Sequence, residues 1–583
     1  MRMKKTLSIP IYALLTAILY GVIFSGMLLG FLNIYKPFLV ILVSLLTTAL
    51  TFWLYMRDSG SDFFPKVFIY SSANDRKRLL DMMLYAAGIL LFALLILLPV
   101  IRWPASVITD WFPFDAAKYH FPKAIEIYRT ASAWDFSLAY AQYPYGYESI
   151  LGFGLSLTDN ELLFGLMHAI IDGFLLMTIW FLARRYTRLA PAPLFFLSVF
   201  ILISELLPIP YNIWWVLRMM AQTIGKNDLL VGAAMLASVF HAPVGPRPNQ
   251  SQQHLIGIGL SSMIAVSVKP NALIVIAPLW LLSLYRIIKE NNQQDENNGY
   301  ARIKQFILAA MLVLPGGLWA LRNLLEQGVL FTEPIKNIQG WSIANNLSNP
   351  YLYNYIPKHL LIITVLLVIS ILFSLFINKP TRSMSLAFLL LFLSFIMSPV
   401  SAFFLNTDVP ANVAWRFAVG VLLYCFVVLL AYLDRFITTV YEWLSRGFVR
   451  SFLTGTIILL ASIVLIWQNQ SLLESQPENA YILRDYYKEP HGTQGYNSVY
   501  DYVRQNIQHA TIWEEGGLPY YLFGEDYTNS VSRESSPDYM VVFRIVLDDG
   551  VVANYPDNIN DSGWQAQWSL IYEDNISRLY EHK

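Results

Sequence analysis

Residues 108–122, ITDWFPFDAAKYHFP, place two Asp, one Lys, one His and five aromatic rings directly after an apolar run that ends near Val100. Asp115 opens a helical turn, with Tyr119 one turn above the carboxylate. Pro122 breaks that turn and begins another. Ala124, Ile125 and Tyr128 then mark one side of an amphipathic helix expected to lie at a membrane surface. A carboxylate in this setting either caps its helix beneath interfacial aromatics or is a reactive group held still at the rim of a bilayer. Lys118 at the third position excludes a capping box, and Asp110 and Asp135 read as local caps. His120 is structural, binds an acceptor or orients Asp115. Further on, Tyr143, Tyr145 and Tyr147 alternate with Pro144, Gly146 and Glu148. Glu148 is a helix N-terminal charge favoured by the dipole or a second carboxylate facing the same space.

Cations stand out against the same apolar background. Lys226, Asn227 and Asp228 begin one apolar segment, Lys269 precedes Pro270 between two others, and Arg322 closes a fourth; Arg218 is a weaker case of the same kind. Capping accounts for Asn227 and Asp228, and helix-end pairing for Arg322. A lysine there either snorkels to the interface or meets a phosphate. Carboxylates and cations around one cavity suit a substrate with an anionic head and a lipid tail.

Membrane helices must position these groups. Of 583 residues, 56% are hydrophobic and 14% charged, against about a quarter charged in soluble domains. Thirteen apolar segments lie near 9–30, 37–56, 80–101, 161–183, 190–207, 226–241, 255–268, 270–287, 304–321, 359–377, 383–404, 412–431 and 451–468. The expectation is an all-α polytopic membrane protein of about thirteen transmembrane helices, with a small C-terminal extracytoplasmic α/β domain. The chain divides into extra N-terminal helices and a basic loop (1–79), a helical membrane domain (80–468) and the tail domain (469–583). With the N-terminus cytoplasmic, as a retained signal anchor, the clusters at 76–78, 184–188, 286–304, 379–382 and 435–450 all fall inside. Loops 102–160, 208–225 and 322–358 and the tail then fall outside. The tail holds 18 acidic and 7 basic residues, which argues against nucleic acid as its partner. In the tail, 496–508 reads as a helix, 539–547 as a buried strand, and 567–582 as strand, turn and short helix. The polar stretch 289–300 reads as a disordered inner loop. The sole cysteine, Cys425, forms no intrachain disulfide. No His/Asp/Glu spacing specifies a metal, and a divalent ion is left open.

FDAAKYHFPKAI, QYPYGYESIL, SVKP at 267–270, Arg322–Asn323 followed by Gly328, and NDLL at 227–230 together resemble the GT-C superfamily of membrane glycosyltransferases. That superfamily includes protein O-mannosyltransferases, lipid A aminoarabinose transferases and many bacterial relatives. The resemblance covers roughly residues 80–430, and LPYYLFGEDYTNSV at 518–531 is similar to outer domains of such proteins. It departs at Ala116, where the usual second acidic residue would stand, and in the missing Gly of the family's Lys-Gly-Pro break, which would fall between Lys269 and Pro270. It implies a multi-pass enzyme of a bacterial cell membrane that moves a sugar from a polyprenyl-phosphate donor to a hydroxyl on a protein, lipid or glycan. Asp115 would be the base, with Glu148 a substitute second carboxylate. Lys269, Arg322 and Lys226 would neutralise the leaving phosphate, and Tyr119, His120, Tyr143, Tyr145, Tyr147 and Asp228 would line the substrate site. A single displacement by one base implies inversion at the sugar carbon. The rival reading is a lipid-linked sugar flippase or other transporter, which also needs many helices and ionisable groups.

Overall fold

A computed structural model describes residues 8–58, 75–101, 115–138, 140–203, 221, 224–244, 254–291, 296–330, 379–397, 416–469, 498–514, 518–532, 536–546, 552–555, 562–574 and 577–583. Helices α1 (Ser8–Phe31) and α2 (Pro37–Asp58) form an antiparallel pair, followed by α3 (Asp75–Phe92), which continues through a π-helical turn to Ile101. A second π turn, Ala116–His120, runs into α4 (Phe121–Thr130), and α5 is Gly146–Thr158. Then come α6 (Phe164–Tyr186), α7 (Pro191–Leu202), α8 (Asp228–His241), α9 (Leu255–Val268) and α10 (Leu273–Asn291). The membrane part ends with α11 (Glu296–Met311), α12 (Leu318–Gln327), α13 (Lys379–Ile396), α14 (Val419–Ser445) and α15 (Phe448–Gln468).

Among the described residues, eight helices are long and apolar enough to cross a membrane, and four shorter apolar helices accompany them. Twelve of the expected apolar segments coincide with these helices; the segment 359–377 lies outside the described residues. Several boundaries differ. Helix α14 runs on to Ser445 because no Gly or Pro interrupts the chain before Gly447. Helices α10 and α11 also take in most of the stretch read as a disordered loop.

Side-chain contacts sort the helix ends into two groups. At one end Tyr12 bonds Thr178 (3.2 Å), Tyr55 bonds His241 (2.7 Å), His254 bonds the Tyr55 carbonyl (3.2 Å) and Asp434 accepts the Arg188 amide (2.9 Å). Arg185 caps the end of α8 there through the Ala242 carbonyl (3.0 Å). At the other end the Phe31 carbonyl accepts from Trp134 (2.7 Å), Asn33 accepts from Ser132 (2.5 Å), and Lys226 meets Asp115. Arg57, Arg184, Arg185 and Arg188 all sit at the first end, and α4, α5 and the C-terminal domain cover the second.

The C-terminal domain holds α16 (Ser498–Asn506), α17 (Ser562–Gln567) and a six-stranded mixed sheet of order β2-β1-β3-β6-β5, with β4 also paired to β3. Its strands are β1 (Thr511–Glu514), β2 (Ser530–Val531), β3 (Tyr539–Val546), β4 (Val552–Tyr555), β5 (Trp568–Glu573) and β6 (Ser577–His582). The expected helix α16 and strand β3 are present. The expected final helix is instead strand β6, antiparallel to both β3 and β5. Buried Ser577 and Leu579 alternate with more exposed Arg578 and Tyr580, which is the period of a strand.

Helix α5 seats against its neighbours through glycines. A Cβ on Gly26 of α1 would collide with Ser149, and one on Gly146 would collide with Ser267 at the end of α9. Small residues let membrane helices approach this closely. Gly26→Ile is expected to cost about 1–3 kcal/mol through overpacking and to lower the melting temperature in detergent by several degrees. Gly317→Ala, at a position with open space beside it, is expected to leave the melting temperature unchanged. Equal melting temperatures for the two variants would contradict this packing.

Candidate functional site

The π turn decides which groups stand beside Asp115. Asp115 is its N-cap, at φ −60 and ψ −35, and makes no side-chain capping bond. The Phe121 amide reaches back to the Ala116 carbonyl, five residues away, as π geometry requires. His120, the last residue of the turn, bonds Glu148 and is near enough to Asp115 to feel its charge. Pro122 does not end the helix: the π turn and α4 run on continuously through 116–130, and Pro122, which has no amide to donate, stands just after the π turn. Helix α4 is not a surface helix, because Phe121 to Ile127 are all buried between α5 and the C-terminal domain.

Asp115 pairs with Lys226 across 2.5 Å, and both side chains are mostly buried. The pair depends on Gly225, which has φ +89 and packs so closely on Ala116 that a Cβ would collide with it. The Gly225 amide donates to the Tyr147 hydroxyl at 2.8 Å, fixing the 224–227 loop against α5. Two residues on, Asp228 pairs with Lys269, whose ammonium also lies 4.1 Å from the centre of the Phe417 ring. The capping expected of Asn227 and Asp228 gives way to this pair: Asn227 makes no capping bond and Asp228 stands in the first turn of α8. Two lysines and two carboxylates thus meet at the head of α8, whose N-terminal dipole adds positive potential.

A second cluster lies beneath. Glu148 Oε1 accepts from His120 Nδ1 at 2.8 Å and from Lys123 Nζ at 3.0 Å, with all three side chains buried. Lys123 also donates to the Pro144 carbonyl. Burial works against ionising Glu148, yet Lys123 and His120 outweigh it and hold its carboxyl at about 2. Burial pulls the Lys123 ammonium below the usual lysine range, with Glu148 partly restoring it. Burial likewise lowers His120, against the opposing pull of Glu148 and Asp115. The carboxylate therefore stays charged, and His120 Nδ1 must donate to it.

Arg322 stands deeper and does a different job. Its guanidinium donates to the carbonyls of Ala133 and Ala141, and Asn323 donates to the Gln142 carbonyl at 2.7 Å. The Phe136 and Tyr145 rings flank it at 4.6 and 4.9 Å. Arg322 and Asn323 thus clamp the loop before α5, in place of the expected helix-end pairing. A cavity of about 10 Å³ beside Arg322, Lys123 and Tyr145 has room for about one water.

The expected tyrosines divide by partner. Tyr145 is buried and donates to the Met27 carbonyl at 2.9 Å, Tyr147 holds Gly225, and Tyr143 stacks on Tyr140, which in turn meets Tyr119 edge-on. Asp135 accepts from the Ser137 amide and hydroxyl in a local turn, not at the head of a helix as expected. Asp110 and Arg218 lie outside the described residues, as does most of the outer loops 208–225 and 322–358. Sequence reasoning missed Lys123, Gly225 and Lys118. Lys123 was hidden in an amphipathic pattern that reads as surface, and Gly225 carried no cue beyond standing before a lysine. Among the described residues, no three His, Cys, Asp or Glu side chains gather to hold a metal ion. No protein-family model matches the chain, and no curated protein does.

His120 and Glu148 each bind a proton less readily in the folded protein than their ordinary values of 6.5 and 4.5 would give. The unfolded chain therefore binds more protons on acidification, and stability is lost as pH is lowered. The His120 contribution is full above pH 6.5 and declines below it; the Glu148 contribution is full above pH 4.5 and is lost as pH falls toward 2. His120→Asn is expected to give a shallower fall of melting temperature between pH 6.5 and 5. A wild-type slope in that variant would show that the histidine does not contribute.

Proposed function

We propose that the protein is a GT-C-like glycosyltransferase that takes a sugar from a polyprenyl-phosphate donor and passes it to an acceptor hydroxyl at the extracytoplasmic face. The observation that carries this reading is the pair of neighbouring Lys–Asp contacts, Lys226–Asp115 and Lys269–Asp228, at the head of α8. The basic helix ends opposite the site support this sidedness: the positive-inside rule favours those ends on the cytoplasmic side, with the site and the C-terminal domain facing out. Nucleotide sugars are absent there, so a lipid must carry the donor.

The two pairs suggest how the resting site becomes reactive. A donor phosphate competes for Lys226 and Lys269 and draws them from their carboxylates. Asp115 then loses this lysine and accepts the acceptor proton as the hydroxyl attacks the sugar carbon. An ordinary aspartate, with a pKa of about 3.9, accepts that proton only late in the step, so its placement matters more than its basicity. The sugar–oxygen bond to the phosphate breaks as the new bond forms, the phosphate leaves with its electron pair, and the two lysines stabilise its charge. Attack from the opposite face inverts the carbon. Asp228 holds Lys269 between turnovers, and Glu148 serves the site by holding His120 and Lys123 rather than as a second base.

Asp115→Asn in nanodiscs is expected to keep binding a C55 polyprenyl phosphate, followed by native mass spectrometry. It is also expected to lose transfer from a panel of polyprenyl-phosphate hexoses by about 100-fold or more. Wild-type transfer by this variant would refute Asp115 as base. Vectorial movement of the lipid-linked sugar without transfer would favour a flippase.

A further inference from the structure

The C-terminal domain is fastened to the segment that carries Asp115 at both of its ends. Near the start, Lys118 of the π turn pairs with Glu514 of β1 at 3.6 Å, and both residues are buried. At the far end, Arg129 donates to Ser530 of β2 at 3.1 Å while also holding Glu126. Between them the Tyr520 ring meets Phe121 edge-on, with centroids 5.4 Å apart, and the Tyr520 hydroxyl donates to Glu161 at the head of α6. Strand β1 lies between β2 and β3; β2 pairs with its first two residues, and Glu514 at its end pairs with Val541 of β3.

We propose that the C-terminal domain is a positioning element of the site, and that Glu514, acting through Lys118, fixes the π turn that sets Asp115 against Lys226. A π turn has poorer geometry than an α turn and persists where its surroundings hold it. Lys118 lies inside this one, between Asp115 and His120. A buried ammonium follows its carboxylate, because leaving it without that partner is costly. Glu514 thus ties the register of five residues to the sheet. Release of Lys118 frees the turn to shift; Pro122 directly after it keeps the segment from closing into an α turn, and the shift carries His120 away from Glu148 and Asp115 away from Lys226. The inference rests on the reading of Asp115 as the functional carboxylate, but its geometric part is tested without any substrate.

The experiment uses the full-length protein in nanodiscs, with wild type, Glu514→Lys, Glu514→Gln and the charge swap Lys118→Glu/Glu514→Lys. An amine-reactive reagent labels lysines, and peptide mass spectrometry reads the rate at Lys226. Lys226 lies on a different segment from the altered residues, so a tie that merely docks the domain leaves its rate unchanged. Labelling of Lys226 is expected to rise about tenfold in Glu514→Lys and to fall back toward wild type in the swap. Amide exchange across 115–130 is expected to follow the same order. Glu514→Gln, which keeps the shape and removes the charge, is expected to show the same direction and decides the matter where the lysine variant does not fold. Wild-type Lys226 labelling in Glu514→Gln, or no recovery in a folded swap, would overturn the proposal. Binding of a C55 polyprenyl phosphate is measured in parallel. Its failure in wild type would sink the donor reading, while the labelling result would still decide the positioning role.

Discussion

The ion pair between Asp115 and Lys226 joins two parts of the chain 111 residues apart, and the surrounding structure is arranged so that it can form. A carboxylate at the head of a membrane bundle loses most of its water, and a charge in that position must be paired or neutralised. Pairing here needs a lysine delivered to within hydrogen-bond reach, which needs a loop that passes directly over Ala116. Only a residue without a Cβ, able to adopt a positive φ, fits that passage, and Gly225 is that residue. Tyr147 then holds the loop down, and α5 holds Tyr147 through its glycine contacts with α1 and α9. The chain of dependence runs from helix packing, through one tyrosine and one glycine, to one salt bridge.

The lower cluster has a different electrostatic character. The Lys226–Asp115 and Lys269–Asp228 pairs keep partial access to solvent, so an arriving anion can exchange with their carboxylates. Glu148, His120 and Lys123 are sealed, and exchange there would strand a buried charge. The upper pairs are therefore suited to opening and closing, and the lower cluster to holding shape. Arg322 belongs with the lower group: five donors on a planar fork suit it to gathering several carbonyls of one loop, which a lysine could not do as well.

The membrane helices were legible because hydropathy over about twenty residues is a strong signal. The special features of the site were not, because each arises from a tertiary contact. FDAAKYHF alone does not distinguish a π turn from an α turn; in the fold, Gly225 packs over Ala116 and Glu514 pairs with Lys118 at this turn. An Asp before two alanines reads as a helix cap, and it stops being one only when a lysine more than a hundred residues away takes its side chain. PKAIEIYR reads as amphipathic because Lys123 and Glu126 fall on one side. Burial on all sides becomes tolerable once Glu148 and Arg129 pair with them. Arg322 was found by its position at a helix end, but its carbonyl partners could not be read from a sequence.

The C-terminal domain brings these points together. Its acidic composition suggests a solvated surface, yet Glu514 is buried against the bundle and Tyr520 reaches Glu161. A domain attached only by its linker would need no such buried polar contacts, since each requires two polar groups to leave water. Paired polar contacts at an interface add geometric selectivity more than affinity: a greasy surface could slide by several ångströms, but Lys118–Glu514 and Arg129–Ser530 allow one register. That register is the one in which the π turn, His120 and Asp115 hold their observed places. Among the described residues, contacts from the sheet reach this segment at Lys118 and Arg129.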